Sequence, residues 1–388
     1  MQPAAKTTNL PVLVYLVTED WYFLSHRIPM ALAAQRAGYD VHVATHVVNG
    51  GDRIKALGFH LHPLNWRRGS VNPFDLVSIV RDVRALYKRL KPDLVHHVAL
   101  QPSVIGSLAA WRLPVTQLNA FAGLGSTFTS QSLKSRIVRP VLKTVLRWML
   151  NRRRSAALVQ NGDDRAAITA IGIDAARVFL IPGSGVDVDV LTPLPEPDGV
   201  VTLGYVGRLL EDKGLRSLIA AHDLLMQRGV AVKLLIAGQT DPANPASIPD
   251  AEIETWKRRA NITLLGHVND VRDVWAKAHI AVLPSRREGL PKSLLEAAAC
   301  GRPMIASDVP GCREIARHGV NGLLVPADNA TALAAAIERL AVDPALRRQY
   351  GAAGRHLVEI EFSSERIGGK TVALYDGLLG RALAGAAL

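Results

Sequence analysis

Two glutamates stand eight positions apart in the stretch SRREGLPKSLLEAAACG, residues 285–301. Glu288 follows an apolar run in a glycine-containing loop, and Glu296 lies in an apolar segment of helical spacing. Pro291 favours the first turn of that helix, whose N-terminal dipole would favour a phosphate beside Glu288. An acid in so apolar a helix is more often held by a specific partner than left to solvent. The alternative is that Glu288 caps the helix and Glu296 is a surface acid.

Two cations, Arg208 and Lys213, occur in the stretch GYVGRLLEDKG. The residues before them predict a strand, and the residues after Gly214 predict a helix. Cations and backbone amides at the carboxyl end of a strand, next to a helix N-terminus, are typical of diphosphate binding. A solvated turn explains these two residues equally well when they are taken alone.

The elements that must position these residues alternate between strand and helix. Apolar runs such as VLVYLVT and DLVHHV predict parallel strands covered on both faces, and helical segments such as LSHRIPMALAAQRAG separate them. The stretch IPGSGVDVDVLTPLPEPDG predicts a linker. We therefore predict two doubly wound α/β domains, residues 1–190 and 191–362, with a helix over about 363–388 that could pack back on the first. Their ligand would bind in a cleft between them, at the carboxyl ends of the strands.

The composition narrows the class of protein without fixing its partner. Basic residues outnumber acidic ones by 46 to 34, for a formal charge of +12, which suits a polyanionic partner. Two cysteines without metal-ligand spacing favour a reducing cytosol. The first residues do not resemble a signal peptide, and no run is long enough to span a membrane. The triplet Asp187, Val188 and Asp189 lies in the predicted linker, so we expect no metal there.

The second half resembles the retaining GT-B glycosyltransferases of family 4, which use sugar nucleotides. The resemblance rests on GRLLEDKG, LLGHVNDVRDVWAKAHIAVLPS and EGLPKSLLEAAACGRPMIASDVPGCREIARHGVNGLLVPADN, and extends more loosely over the chain. It implies that Glu288 binds hydroxyls of the donor sugar at the catalytic centre and that Glu296 binds the ribose. The other donor-binding residues that it implies are Arg208 and Lys213 for the diphosphate, Gly289 and Leu290 for the phosphates through their amides, and His267 and Val268 near the base. No metal or other cofactor is expected, since fixed cations and a helix dipole can stabilise a diphosphate leaving group.

The first half departs from the family pattern. Members often carry a glycine-rich loop after the first strand, where this chain has TEDWYFLSHR. Members also often place a histidine near the sugar, and His97 is the preferred candidate because it lies nearer the strand's carboxyl end than His96. His26 is a third candidate, and all of them could instead be ordinary histidines of the fold. Residues 118–128, LNAFAGLGSTF, suit a flexible acceptor loop.

A basic segment, residues 133–154, contains no acid. Its apolar stripe of Leu133, Ile137, Val141, Val145 and Met149 could lie on an anionic membrane or face the core. We expect an acceptor and membrane surface made of five cations, namely Lys134, Arg136, Arg139, Lys143 and Arg147.

The motifs look closest to bacterial transferases that add N-acetylgalactosamine or galactose to undecaprenyl-diphosphate-linked sugars. The leading hypothesis is therefore a UDP-sugar-dependent transferase of a hexose or N-acetylhexosamine, such as GalNAc, Gal or GlcNAc. Its acceptor would be a polyprenyl-diphosphate-linked glycan in cell-surface polysaccharide assembly, on the inner face of the cell membrane. A UDP-GlcNAc 2-epimerase is the alternative with the same architecture. A nucleic-acid-binding protein is a remote one, because the chain lacks a recognisable reading module.

Overall fold

The computed structural model describes residues 10–66, 72–121, 133–241 and 244–381. The chain divides into two compact units, each built around its own parallel sheet. The N-terminal unit comprises Met1–Ser184 together with Ile367–Leu388, and the C-terminal unit comprises Gly185–Arg366. The last helix therefore continues from the C-terminal unit into the N-terminal one.

In the described part of the N-terminal unit, a seven-stranded parallel sheet has the order β3-β2-β1-β4-β5-β6-β7. Its strands are Val12–Glu19 (β1), Asp40–His46 (β2), His60–Pro63 (β3), Leu94–Val98 (β4), Thr116–Ala120 (β5), Ser155–Val159 (β6) and Val178–Leu180 (β7). Its helices are Asp20–His26 (α1), Ile28–Arg36 (α2), Gly51–Ala56 (α3), Pro73–Leu90 (α4), Leu100–Ala109 (α5), Leu133–Leu150 (α6) and Gly162–Ala170 (α7). The helix Ser364–Leu379, numbered α15 in chain order, completes the unit.

The helix predicted after the first strand is broken in two. Arg27 separates α1 from α2 with a φ of −125°, outside the helical range. Pro29 follows in the first turn of α2, where its missing N–H is tolerated but would interrupt a continuous helix. Periodicity alone joined the two segments because both bury an apolar face.

A buried carboxylate joins the carboxyl ends of β1 and β2. Asp20 is fully buried, and its Oδ2 accepts hydrogen bonds from the amides of Val48, Asn49 and Gly50 at 2.9, 3.1 and 2.6 Å. Such a carboxylate organises a loop that would otherwise leave backbone donors unpaired. The segment TEDWYFLSHR thus fixes the neighbouring loop through a side chain.

The last helix, α15, packs a polar network against the N-terminal sheet. The Tyr375 hydroxyl lies 2.8 Å from the Tyr15 hydroxyl and 2.6 Å from His96 Nδ1, and all three side chains are fully buried. The Tyr39 hydroxyl donates to Asp376 at 2.7 Å. Burial raises the pKa of Tyr15 above its ordinary value, so the phenol stays neutral and can donate.

The described part of the C-terminal unit has a six-stranded parallel sheet of order β10-β9-β8-β11-β12-β13. Its strands are Thr202–Val206 (β8), Lys233–Ala237 (β9), Ile262–Gly266 (β10), Ile280–Leu283 (β11), Met304–Ser307 (β12) and Gly322–Val325 (β13). Its helices are Leu215–Gln227 (α8), Asp250–Lys257 (α9), Arg272–Trp275 (α10), Lys292–Ala299 (α11), Pro310–Ile315 (α12), Ala330–Ala341 (α13) and Pro344–Leu357 (α14). Strand order reverses between β8 and β11, and in doubly wound sheets ligands bind at that point.

Candidate active site

The loops after β8 and β11 meet at the carboxyl edge of the C-terminal sheet. The two strands are direct neighbours, with Ala281 paired to Gly204. Gly214 adopts a left-handed φ of 71°, and a Cβ built on it would lie 1.9 Å from the Pro284 carbonyl oxygen. Only glycine allows the β8 loop to approach the β11 loop so closely. This contact brings the residues before Gly214 next to those after Pro284.

Lys213 and Glu288 form an ion pair at this junction. Lys213 Nζ lies 2.6 Å from Glu288 Oε1, which also accepts a hydrogen bond from Ser285 Oγ at 2.7 Å. The Glu288 side chain is 9% exposed and that of Lys213 is 22% exposed. The structure thus places together two residues that the sequence assigned to one ligand.

Gly311 packs directly against the backbone of the loop that carries Glu288. A Cβ built on Gly311 would lie 2.4 Å from the Gly289 carbonyl oxygen and 2.7 Å from that of Glu288. Helix α12 can therefore pack directly on this loop, which limits the directions in which the Glu288 carboxylate can point. The glycine of the sequence DVPGC has a positioning role that its motif alone did not indicate.

Helix α11 begins one residue later than predicted. Pro291 occupies the N-cap position with extended backbone, and the helix runs Lys292–Ala299. No side chain caps its N-terminus. The positive end of the helix dipole therefore lies next to the Glu288 loop, as a phosphate site requires. Leu290 packs against the core of the unit, so its contribution would come from the backbone.

Glu296 is buried on α11, one turn after Lys292. Its Oε1 lies 3.1 Å from Lys292 Nζ, and the residue is 8% exposed. Burial raises its pKa above the ordinary glutamate value, while Lys292 acts in the opposite direction. The charge of Asp270, in the loop after β10, also raises this pKa.

The burial of Glu296 leads to a pH-dependent prediction for the protein without nucleotide. Folding raises the pKa of Glu296. At a pH between the ordinary and the raised pKa, the Glu296 carboxyl is therefore protonated in the folded state and ionised in the unfolded state. The free energy of unfolding of the wild type should therefore fall, relative to Glu296→Gln, as pH rises through that interval. Urea denaturation of both proteins from about pH 4 to about pH 7 measures the difference. A difference that stays constant over this range would contradict the prediction.

Arg208 is the second predicted diphosphate cation. Its Nη1 lies 3.0 Å from Asp241 Oδ2, and its side chain is 45% exposed. Below it, the Tyr205 hydroxyl donates to the Arg208 carbonyl oxygen at 2.9 Å, which fixes the backbone of the β8 loop. The exposed head group can exchange its surface ion pair for a ligand at little cost.

The histidines of the N-terminal unit occupy very different environments. His97 is fully buried, with Nδ1 2.8 Å from Asn119 Oδ1 and Nε2 3.1 Å from the Tyr87 hydroxyl. Burial lowers the pKa of His97 to about 4. Both ring nitrogens of His97 are thus engaged inside the unit. The catalytic role of His97 stays a prediction, and the burial of the side chain argues against it. His96 is buried on the opposite face, whereas His26, at the end of α1, is half-buried.

The C-terminal part of the stripe in the basic segment packs into the core, and the side chains of Leu133 and Ile137 lie outside the described residues. Val145 and Met149 pack into the interior of the N-terminal unit together with Leu146, whereas Val141 is 62% exposed. This part of the stripe therefore cannot lie on a membrane, because α6 already uses that face. Among the described helices, none is both long enough and apolar enough to cross a bilayer.

The predicted membrane cations lie on α6. Lys143 and Arg147 are exposed, and Arg139 is half-buried. The side chains of Lys134 and Arg136 lie outside the described residues, as does most of the predicted acceptor loop, from residue 122 on.

In the linker, Asp187 Oδ1 accepts from the amides of Asp189 and Val190 at 3.1 and 3.0 Å. The DVD triplet thus forms a local turn.

Sequence reasoning missed several residues that shape the site. Ser285 stood inside the quoted motif, but a serine at that position carries no signal of its contact with Glu288. Asp241, the partner of Arg208, follows a different strand. The Arg208–Asp241 contact depends on loops that come together only in the folded sheet, whereas the Ser285–Glu288 contact forms within one loop.

Two family models match the chain, one in each unit. Residues 13–161 match the model described as glycosyl transferase 4-like, and residues 200–343 match glycosyl transferases group 1. The chain is 24% identical over 347 residues to a Campylobacter jejuni N,N'-diacetylbacillosaminyl-diphospho-undecaprenol alpha-1,3-N-acetylgalactosaminyltransferase, across 84% of this chain and 90% of that protein. It is 33% identical over 177 residues to the Staphylococcus aureus capsular polysaccharide biosynthesis glycosyltransferase CapM, a match that spans 46% of each chain.

Solved structures share the fold. A sucrose-phosphate synthase from Thermosynechococcus elongatus has a TM-score of 0.80 at 22% identity, covering 95% of this chain and 99% of its own. Anabaena HepE in complex with UDP and glucose has a TM-score of 0.76 at 16% identity, covering 95% of this chain and 100% of its own. The predicted fold class, two doubly wound parallel-sheet units of GT-B type, is confirmed. Each unit therefore matches a glycosyltransferase family, the N-terminal unit as glycosyl transferase 4-like and the C-terminal unit as group 1, within a fold of GT-B type.

Proposed function

We propose that the protein transfers a hexose or N-acetylhexosamine from a UDP-sugar to a lipid-linked glycan, with retention of anomeric configuration, in cell-surface polysaccharide assembly. The observation that carries this proposal is the Lys213–Glu288 pair at the β8/β11 switch point, beside the N-terminus of α11. At this point the Lys213 cation and the α11 dipole could bind a diphosphate, and the Glu288 carboxylate could accept hydrogen bonds from sugar hydroxyls.

The donor would lie along the carboxyl edge of the C-terminal sheet. Lys213 and Arg208 would neutralise the diphosphate, and the amides of Gly289 and Leu290 would contact its phosphates. Glu296, one and a half turns beyond Pro291, would accept the ribose hydroxyls, with His267 and Val268 near the base. The Anabaena structure named for UDP and glucose supports a uridine donor, since it shares this fold.

The reaction would proceed by attack of an acceptor hydroxyl on the anomeric carbon. The bond from that carbon to the diphosphate oxygen breaks, the diphosphate leaves with the bonding electron pair, and a donor phosphate oxygen takes the acceptor proton. Retention requires attack on the face from which UDP departs. Lys213, Arg208 and the α11 dipole would stabilise the growing negative charge, so the transfer itself would need no metal.

The lipid-linked acceptor is proposed from two independent features. The Campylobacter jejuni relative is named for a diphospho-undecaprenol acceptor and aligns over most of both chains. In addition, two exposed tryptophans adjoin a half-buried arginine in the N-terminal unit: the Arg152 guanidinium lies 5.3 Å from the Trp111 ring centroid and 5.0 Å from that of Trp148. Lys143 and Arg147 are exposed on the same helix as Trp148. Such a mixture of aromatic and basic groups suits the interface of an anionic bilayer on the cytoplasmic side.

A panel of nucleotide sugars tests the donor assignment. Thermal unfolding is followed with UDP, GDP and ADP sugars, and UDP derivatives alone should raise the melting temperature. UDP release is then measured with and without a polyprenyl-diphosphate-linked glycan. Release that depends on the acceptor supports the transferase, whereas interconversion of UDP-GlcNAc without acceptor would favour the 2-epimerase. No shift with any UDP compound would refute the donor assignment.

The proposed membrane surface predicts salt-sensitive vesicle binding. Reversing two charges, Lys143→Glu with Arg147→Glu, should weaken binding to phosphatidylglycerol vesicles about tenfold or more, because each basic residue contributes about 1 kcal/mol at an anionic surface. Vesicle co-sedimentation at low and high salt measures the effect. The control variant is Lys233→Glu with Lys277→Glu, which changes the net charge equally at exposed positions of the C-terminal unit. An equal loss in the control would show that net charge, not this surface, drives binding.

A further inference from the structure

Three imidazoles and a carboxylate converge at the amino ends of β2 and β3, away from the carboxyl edge where α/β sites form. Asp40 and His60 begin their strands, and His42 is paired with His60 in the parallel register. Side chains two residues apart on a strand share a face, so Asp40 lies beside His42, and His62 beside His60. Strand β3 is at the edge of the described sheet, which leaves the cluster open to solvent.

Three of these side chains direct ligand atoms at one point. His42 Nε2 lies 3.1 Å from Asp40 Oδ2, and His60 Nε2 lies 3.2 Å from Asp40 Oδ1. All three groups can offer atoms within 4.8 Å of one another. Ligand atoms at about 2.0 Å from a tetrahedral zinc ion lie about 3.3 Å apart, so these separations are close to those of a metal site.

The remaining histidine supports the orientation that a metal would need. His42 Nδ1 lies 2.8 Å from His62 Nε2. With an ion bound, His62 could accept the His42 Nδ1 proton, which would leave the Nε2 lone pair for the metal. Histidine ligands of metals characteristically donate their second N–H to an acceptor in this way. Burial fixes the His42 ring further, since its side chain is only 9% exposed, whereas that of His60 is 62% exposed and can adjust.

We propose that Asp40, His42 and His60 form a binding site for a divalent transition-metal ion, with Zn²⁺ as the best match and water at the remaining position. Two imidazoles and one carboxylate are a ligand set that zinc commonly takes. The ion would displace any protons from the two Nε2 atoms and join the edge strand β3 to β2. The site is separate from the proposed donor site and does not depend on it.

Equilibrium dialysis of the full chain, without an affinity tag, tests the site with Zn²⁺ alone. The wild type should bind one Zn²⁺ per chain at the cluster, and Co²⁺ should give visible absorption bands at the same site. His60→Asn and Asp40→Asn should lose this binding. His62→Phe should weaken it about tenfold to a hundredfold, as expected for a residue that only orients a ligand. His356→Asn, which removes an exposed histidine of the C-terminal unit, should leave it unchanged.

Melting temperatures distinguish a variant that has lost zinc binding from one that folds poorly. With chelator present, His60→Asn should melt near the wild-type temperature, because His60 is mostly exposed. Zn²⁺ should raise the melting temperature of the wild type and of His356→Asn but not of His60→Asn. Equal zinc binding by the wild type and His60→Asn, or no binding by the wild type, would overturn the proposal.

Discussion

Replacing Glu288 with Gln should lower turnover about a hundredfold to a thousandfold, while the affinity for free UDP changes little. The carboxylate would hold sugar hydroxyls at the reacting centre, and Gln removes the charge that makes these bonds strong. Losing one preorganised polar contact at a reacting centre typically costs this much. Gln also weakens the hold on Lys213, which lies 2.6 Å from the carboxylate.

Initial-rate kinetics with the UDP-sugar and the lipid-linked acceptor measure the effect on kcat, and calorimetry with UDP measures affinity. Glu338→Gln is a matched control, because Glu338 pairs with Arg228 at 3.1 Å on a helix of the same unit but is 39% exposed. Near wild-type turnover in Glu288→Gln would show that the sugar does not contact this residue.

Replacing Glu296 with Gln should have the complementary effect: weaker UDP binding with a similar kcat at saturating donor. A hydrogen bond to a charged group contributes about 1.5–3 kcal/mol, so the Kd for UDP should rise about tenfold to a hundredfold. The residue lies about one turn from the start of α11, so in the proposed donor position it would contact the nucleotide and not the reacting carbon.

Calorimetry with UDP and with UMP checks the second effect, because the ribose is common to both and the affinity should fall similarly. Glu254→Gln is the control, since Glu254 also pairs with a lysine on its own helix, Lys257, at 2.6 Å, but at the surface. If Glu296→Gln lowered kcat and left the Kd unchanged, the roles of the two glutamates would have to be exchanged.

Much of the fold could be predicted from the sequence because its strands are fully buried. A run such as Leu94–Val98 is buried at every position, and unalternated apolar runs of this kind predict parallel strands. The motifs predicted Lys213 and Glu288 as candidate site residues, and the structure places them together. The sequence did not predict that Lys213 and Glu288 pair directly. The pair depends on Gly214, which lets the β8 loop approach the β11 loop.

Other features were beyond sequence reasoning for physical reasons. The periodicity of α6 is the same for a helix that faces a core and one that faces a bilayer, so only the structure assigns Val145 and Met149 to the interior. The cluster of Asp40, His42 and His60 depends on strand register, which spacing along the chain does not reveal. His97 looked accessible because it is near a strand end, yet α4 and α5 cover it.

The position of α15 has a consequence for the order in which the protein can fold during synthesis. Ile367 and Tyr375 are fully buried in the N-terminal unit, and Tyr375 joins Tyr15 on its first strand. Domains usually fold in the order in which the ribosome makes them. Here the unit that is made first obtains the last part of its core only after the whole C-terminal unit has been translated. A ribosome that stops before α15 would therefore release a chain whose C-terminal unit is nearly complete and whose N-terminal unit still lacks the part of its core that α15 supplies.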